Sequence, residues 1–567
     1  MNQQTEKTLT RVLYLGSFLT TVFLLTNVVT DPVNVTKHFL LGSMAFAALS
    51  ITLINGSSLI WDKSRAVLII AMVFLILAII SMLNSESPVT QNLYGTYGRN
   101  TGFIAYMSLI FIFVSALTIR RKESFQKLIY SLVAAGLLNV MYCFWAWQIG
   151  DFVGWNNPYN TILGTFGNPN FIGAFLGIIL SVVLALAVQP KLSWKWRAFC
   201  VAVIIIGFLE IRYSKAVQGV VVTGAGFAIV GFFLIRNKFK SWGVTFAYSL
   251  LVFTFGIIAL LGALQIGPLA QYVYKTSVSL RGEYWQAGIN MANKFPWTGV
   301  GMDSYGDWYR RLRDESALIM PGPSTVTNAA HNVNLDVIAY GGWPLLVTYL
   351  LLLIFVVVAI IRVILRNHKY DPVFVSLTVG WVCYQIQALI SINQIGLAIW
   401  GWLLGGSLIA YEIATRNDVD TNPMQTIKNR GANRKKNSNV ISPELLAGVG
   451  LVVGALIAVP PLSADMKWSS AVRSGSVEKV KEALEPGYLN PLSSFRYASA
   501  VQLLEQNSLF DLSHEYVLRA VEFNPNHFDS WRMLYAVKNA SDSERALALE
   551  NLKRLDPNNP DVLAVRK

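Results

Sequence analysis

Apolar runs long enough to cross a lipid bilayer recur along most of this chain, and they set its architecture before any motif is considered. A spanning helix needs about 20 mostly apolar residues at a rise of roughly 1.5 Å each. Such segments fall near 11–29, 38–55, 66–83, 102–119, 128–148, 171–189, 197–211, 217–235, 243–266, 338–361, 373–392 and 396–413, with a thirteenth at 442–462. Beyond 462 the pattern changes. Polar and apolar residues mix at helical spacing, as in Val517–Phe523, and Asn490-Pro491, Asn524-Pro525 and Asp556-Pro557 recur 34 and 32 residues apart. Proline closing one helical hairpin and opening the next at this period is the punctuation of a tetratricopeptide-like array. The expected fold is all-α: a polytopic membrane bundle of about 12–13 spans, then a soluble α-solenoid. Residues 1–415 form the membrane domain, 416–441 a basic linker, 442–462 a further span and 463–567 the repeat domain.

Composition agrees. The chain is 54% hydrophobic and 14% charged, against roughly 25% charged in soluble domains, so lipid is the solvent for most of it. The net charge of +14 calls for no nucleic-acid partner, because the cations gather in alternate loops: Lys63 and Arg65, Arg120 to Lys122, Lys191 to Arg197, Arg236 to Lys240, Arg362 to Lys369, and the 414–441 linker. Cytoplasmic loops of membrane proteins carry that excess. The N-terminus is therefore expected inside, and the loops 30–37, 84–101, 149–170, 212–216, 267–337 and 393–395 outside, together with the repeat domain. Among the short outward loops, 212–216, with Arg212 and Lys215, departs from the rule, and the others agree. The first apolar run lacks a small-residue cleavage site and reads as a retained helix. Cys143, Cys200 and Cys383 show no paired spacing, so neither a disulfide framework nor a zinc site is indicated.

The outward loop 267–337 far exceeds an ordinary connection. Its aromatic residues, among them Trp285, Phe295, Trp297, Tyr305 and Trp308, point to a folded segment on the membrane surface. It carries Arg281, whose fork of donors suits phosphate oxygens, although a surface ion pair with Glu283 or Asp303 would also account for it. It carries His331 as well, one of five histidines, which is either a proton carrier or a hydrogen-bonded structural residue. At the junction of the seventh and eighth spans, Arg212, Lys215 and Gln218 are suited to an anionic headgroup or to snorkelling at the interface. Gly167-Asn168-Pro169-Asn170 reads as a turn and helix start, and Arg99 in Gly98-Arg99-Asn100 is a further anion contact. No nucleotide-binding loop, HExxH or CxxC occurs. An enzyme on the outer face has no ATP, so its driving force must arrive in an activated membrane substrate.

Taken together, Arg281, Trp285, Phe295-Pro296-Trp297-Thr298-Gly299-Val300-Gly301, then His331-Asn332, Leu335 and Gly341-Gly342 resemble the O-antigen ligase and polymerase family, which includes bacterial protein O-oligosaccharyltransferases. The resemblance covers roughly residues 10–415. It implies a metal-independent, inverting glycan transfer with no cofactor on the outer face of the cytoplasmic membrane. The donor would be a polyprenyl-pyrophosphate glycan and the acceptor a lipid or protein. His331 would be the base, and Arg281 with Lys215 or Arg212 would hold the pyrophosphate. Lys215 stands where the family often has arginine, which keeps the charge and loses the fork. Asn332, Gln218, Asp303 and Arg99 are candidate substrate contacts. The competing expectations are a repeat-unit polymerase and, from another class, a non-catalytic scaffold or transporter. The tail suggests a protein partner, because such arrays form concave binding surfaces.

Overall fold

The computed structural model describes residues 1–155, 157–263, 266–267, 276–416 and 441–564. The basic linker expected at 416–441 therefore lies outside the described residues except at its ends, as does 268–275 of the long loop.

All thirteen anticipated segments are helical. They form α1 (Gln3–Val22), α2 (Asn34–Asn55), α3 (Ser57–Leu83), then, after the short α4 (Val89–Tyr94), α5 (Phe103–Ala116), α6 (Lys122–Gln148), α7 (Pro169–Ala187), α8 (Trp194–Tyr213), α9 (Val217–Phe239) and α10 (Trp242–Ala263). The long loop holds α11 (Thr276–Lys294), α12 (Tyr305–Leu312) and α13 (Ser316–Ile319). It is followed by α14 (Val333–Arg366), α15 (Pro372–Ala388), α16 (Ile395–Thr415) and α17 (Pro443–Ser474). Among the described residues nine helices are long and apolar enough to cross a membrane. The remaining four fall short for physical reasons. Helices α5 and α15 are short and buried on most faces by their neighbours, while α1 and α8 carry several charged residues.

Two boundaries differ from the hydropathy pattern. The first apolar run reaches residue 29, yet α1 stops at Val22. The buried Lys37 ammonium donates to the Thr20 and Thr21 carbonyls, satisfying the orphan acceptors of a helix end, and 23–33 turns away. The tenth span starts earlier than expected, at Val333, and is broken at Gly341 and Gly342. The fourth cluster behaves as read from sequence: Gly167 is left-handed, and the Asn168 side chain accepts from the Asn170 N–H at 2.9 Å with Pro169 opening α7.

Helix α17 packs along α2 on a stripe of small residues. A Cβ added at Gly450 would overlap the Phe46 carbonyl, and one at Gly454 the Gly42 carbonyl. Close backbone approach through small residues four apart is how helices associate where lipid removes the hydrophobic drive. Gly454→Leu is therefore expected to lose most folded protein in a detergent thermostability assay. Gly448→Leu, where nothing lies within 4 Å, should behave as wild type.

The same helix runs past the anticipated 462/463 boundary to Ser474, and its Trp468 and Ala471 enter the core of the C-terminal domain. That domain comprises α18 (Val477–Leu484), α19 (Ser494–Gln506), α20 (Phe510–Phe523), α21 (Phe528–Ala536), α22 (Asp542–Leu555) and α23 (Pro560–Leu563), packed around Tyr497, Val517, Trp531 and Leu552. The punctuating Asn490, Asn524 and Asp556 are all buried. Asn490, for example, donates from Nδ2 to the Ala483 and Glu485 carbonyls.

Candidate functional site

The motif Phe295–Gly301 owes its glycines to backbone contact. The break in α14 leaves the Ala339 and Tyr340 carbonyls without helical partners, and they accept from Val300 N–H at 2.9 Å and Gly301 N–H at 3.1 Å. In return Trp343 N–H donates to the Pro296 carbonyl at 2.8 Å. A Cβ at Gly299 would overlap the Tyr340 carbonyl, and one at Gly342 the Pro296 carbonyl. Both residues also have positive φ. The long loop is thereby stitched to the first turns of α14, immediately after the histidine.

His331 is held from both sides. Asp336 Oδ1 accepts from the Ala330 N–H at 2.6 Å, and Asn332 caps α14, accepting from Asn334 N–H at 3.0 Å. Between these anchors His331 sits at φ +57°, a conformation uncommon outside glycine and tolerated by His, Asn and Asp. The Tyr284 ring lies 5.5 Å from the imidazole at 31°. Tyr284 is one turn after Arg281 on α11, so both residues share the face that meets His331. Arg99 approaches from the loop before α5, its Nε donating to Asn328 Oδ1 at 3.1 Å. Burial first, then the positive charges of Arg99 and Arg281, push the imidazole down to about 3. His331 is therefore neutral near pH 7, with its acceptor nitrogen available.

The carboxylates offered as alternative partners of Arg281 are engaged elsewhere. Glu283 accepts from Ser316 Oγ at 2.7 Å. Asp303 is buried and accepts from Thr96 N–H at 2.8 Å, Thr101 Oγ1 at 3.2 Å and the Tyr340 hydroxyl at 3.2 Å. Burial raises its carboxyl, against these donors and Arg99. Asp303 thus ties the 95–101 loop to α14 instead of facing the cavity, and Asn332 Oδ1 is committed to its cap.

Residues 200–350, which hold α9 to α11, the stitched motif and His331, match a family model described as O-antigen ligase. This stretch of the chain is similar to that family. No curated protein matches it. Arg281, His331, Arg212, Lys215, Gln218, Asp303 and Asn332 lie within the matched stretch; Arg99 and the C-terminal domain lie outside it.

In the ligase-family region the α8–α9 corner is a second group. Arg212 and Lys215 are exposed there, Lys215 at φ +59°. Gln218 is buried and donates from Nε2 to the Asn170 carbonyl at 2.7 Å, fastening α9 to the start of α7. The corner is also tied to the 149–170 loop by Thr161, whose hydroxyl donates to the Tyr213 carbonyl at 2.7 Å.

His331, Arg99 and Tyr284 line a cavity of about 570 Å³ whose far wall is the C-terminal domain. The docking residues escaped the sequence reading. Arg313 Nη2 meets Asp556 Oδ2 at 2.7 Å and Arg310 Nη1 meets it at 3.0 Å, with Arg313 and Asp556 almost wholly buried. Asn524 Nδ2 donates to Asp307 Oδ2 at 3.3 Å, Thr90 Oγ1 to the Leu492 carbonyl at 3.1 Å, and Phe495 stacks on Tyr97 at 4.1 Å. The tail docks through the edge that holds its Asn/Asp-Pro punctuation. Asp336 was also missed. Its only signal was an acid at the mouth of an apolar span.

Proposed function

We propose that this chain is a glycan ligase. In this reading it moves a preassembled oligo- or polysaccharide from a polyprenyl pyrophosphate to an acceptor hydroxyl on the outer face of a bacterial cytoplasmic membrane. The observation that carries the proposal is the placing of a neutral, anchored His331 between Arg99 and Arg281 at the mouth of a cavity, with His331 and Arg281 inside the family-matched stretch. The alternation of basic loops supports the assignment of the site to the outer face.

The chemistry follows from charge. The His331 imidazole takes the proton of the acceptor hydroxyl as its oxygen attacks the anomeric carbon. The anomeric C–O bond to the pyrophosphate breaks on the opposite side, inverting the centre, and the leaving diphosphate carries away the electron pair. Arg281 receives that charge, with Arg212 and Lys215 as further cations toward the carrier. Fixed cations aimed at developing charge need no metal to stabilise it. An imidazole held down by burial, and then by two cations, is a weak base before the donor binds. A diphosphate bound beside them offsets their charge and raises its basicity, so donor binding precedes proton transfer.

The pool of lipid-linked glycan tests the reaction type. In a deletion strain a ligase leaves long, finished glycan on the carrier. Single repeat units accumulating instead would make the protein a polymerase, and an unchanged pool would leave a scaffold or transporter.

A further inference from the structure

The cavity beside His331 is built by two parts of the chain that sequence alone does not connect. From the membrane domain come Arg99, Asn100, Tyr284, Asn328 and His331. From the C-terminal domain come the beginnings of α19 and α21, at 491–498 and 526–533, with Phe523 from the end of the intervening α20. Arg281 is not part of its lining, so the cavity opens from His331 toward the tail domain, away from the cation assigned to the leaving group.

The lining has a definite chemical character. Its rings include Tyr94, Tyr97, Phe495 and Phe528. Its cations are already engaged: Arg310 of α12 with Asp556, Arg532 with Asp529 at 3.0 Å, and Arg496 with the Ala483 carbonyl and Asn490 Oδ1. What remains is amide and hydroxyl capacity. Asn100 is buried at 3% exposure and its Oδ1 has no protein partner, while Asn328 spends its Oδ1 on Arg99 and keeps its Nδ2 donors. Rings for the C–H face of a pyranose and amides for its hydroxyls are what a saccharide needs. The volume lies within the roughly 300–1,000 Å³ of small-ligand pockets. An extended peptide is recognised by a strand edge or a row of side-chain pockets, and among the described residues no strand borders this space.

We propose that the cavity is a saccharide subsite completed by the C-terminal domain, which seats a sugar of the acceptor or of the donor glycan against His331. The domain is then part of the binding site and not a tethered accessory. This rests on the ligase reading for its place in the reaction, although the binding itself does not require turnover.

The test uses the full chain in nanodiscs and saturation-transfer NMR with three probes. One is glycan released by mild acid from the lipid-linked pool. The other two are oligosaccharides and tryptic peptides prepared from envelopes of a deletion strain, which hold the unmodified acceptor. Ala498 lines the cavity from α19 and is half-buried, so Ala498→Trp fills the space from a residue that makes none of the docking contacts named above. His331→Ala leaves the rings and amides in place. The expected result is saccharide binding that His331→Ala retains and Ala498→Trp weakens at least tenfold. Loss with the released glycan marks a donor subsite, and loss with the envelope oligosaccharides an acceptor subsite. No saccharide binding, binding indifferent to Ala498→Trp in a protein of unchanged thermal stability, or binding of peptides alone overturns the proposal. Failure of the ligase reading shows up separately, as normal saccharide binding with no transfer by wild type.

Discussion

Asp556→Ala will free the C-terminal domain from the membrane domain. The carboxylate sits between Arg310 and Arg313 with almost no solvent contact, and Asn559 Nδ2 donates to it at 2.8 Å. Removing one partner of a buried pair leaves an uncompensated charge, which costs about 3–5 kcal/mol. Here two cations lose their counter-charge, and a cost of that order is set against the Tyr97–Phe495 stack, the Arg310–Phe528 contact and the peripheral hydrogen bonds of Thr90, Asn524 and Asn526, each worth about 1 kcal/mol. Hydrogen exchange should rise together in 86–97, 305–313 and 491–498, while α2 and α17 stay protected. Asp556→Asn keeps the shape and an acceptor and should fall between wild type and Asp556→Ala. Glycan transfer should drop with it, because the cavity loses a wall. If exchange in these segments stays at the wild-type rate, the buried pair does not hold the domains together.

Arg281→Ala will lower transfer by about 100- to 1,000-fold, the usual cost of removing one preorganised group that meets charge in the transition state. Arg281→Lys keeps the charge without the fork and should recover part of that loss. The same change tests the electrostatics of the site. In the free wild-type enzyme the imidazole is held at about 3 by burial, Arg99 and Arg281, so His331 contributes no fall in kcat/KM between pH 8 and pH 5. Taking away one cation favours the protonated ring and raises its pKa. The acid limb of Arg281→Ala should therefore move upward, toward neutrality. A wild-type limb near pH 6.5 that Arg281→Ala leaves in place would contradict this arrangement.

Much of this was legible in the sequence because lipid imposes a simple rule on apolar length, and every expected segment is a helix. The rule failed where a polar group overrode it. Lys37 caps α1 from another helix and ends it inside its apolar run. The glycines of the Phe295–Gly301 motif and of 341–342 stood out as a pattern. Their reason, one backbone pressed on another, needed the fold. Arg99, Arg281 and His331 were picked out individually, and the fold brings them together. Asp303 and Asn332 were singled out too, yet their side chains are spent on holding loops. The docking of the tail was not legible, since Arg313 and Asp556 are 243 residues apart and each looks like an ordinary surface charge.

The measurement that bears most directly on the account is mass spectrometry of polyprenyl-pyrophosphate glycans in membranes from cells carrying either the native protein or His331→Ala, at matched expression. The account predicts that finished glycan accumulates on the carrier in the variant, as expected when a general base worth about 100- to 10,000-fold is removed. An unchanged pool with normal surface glycan would contradict it.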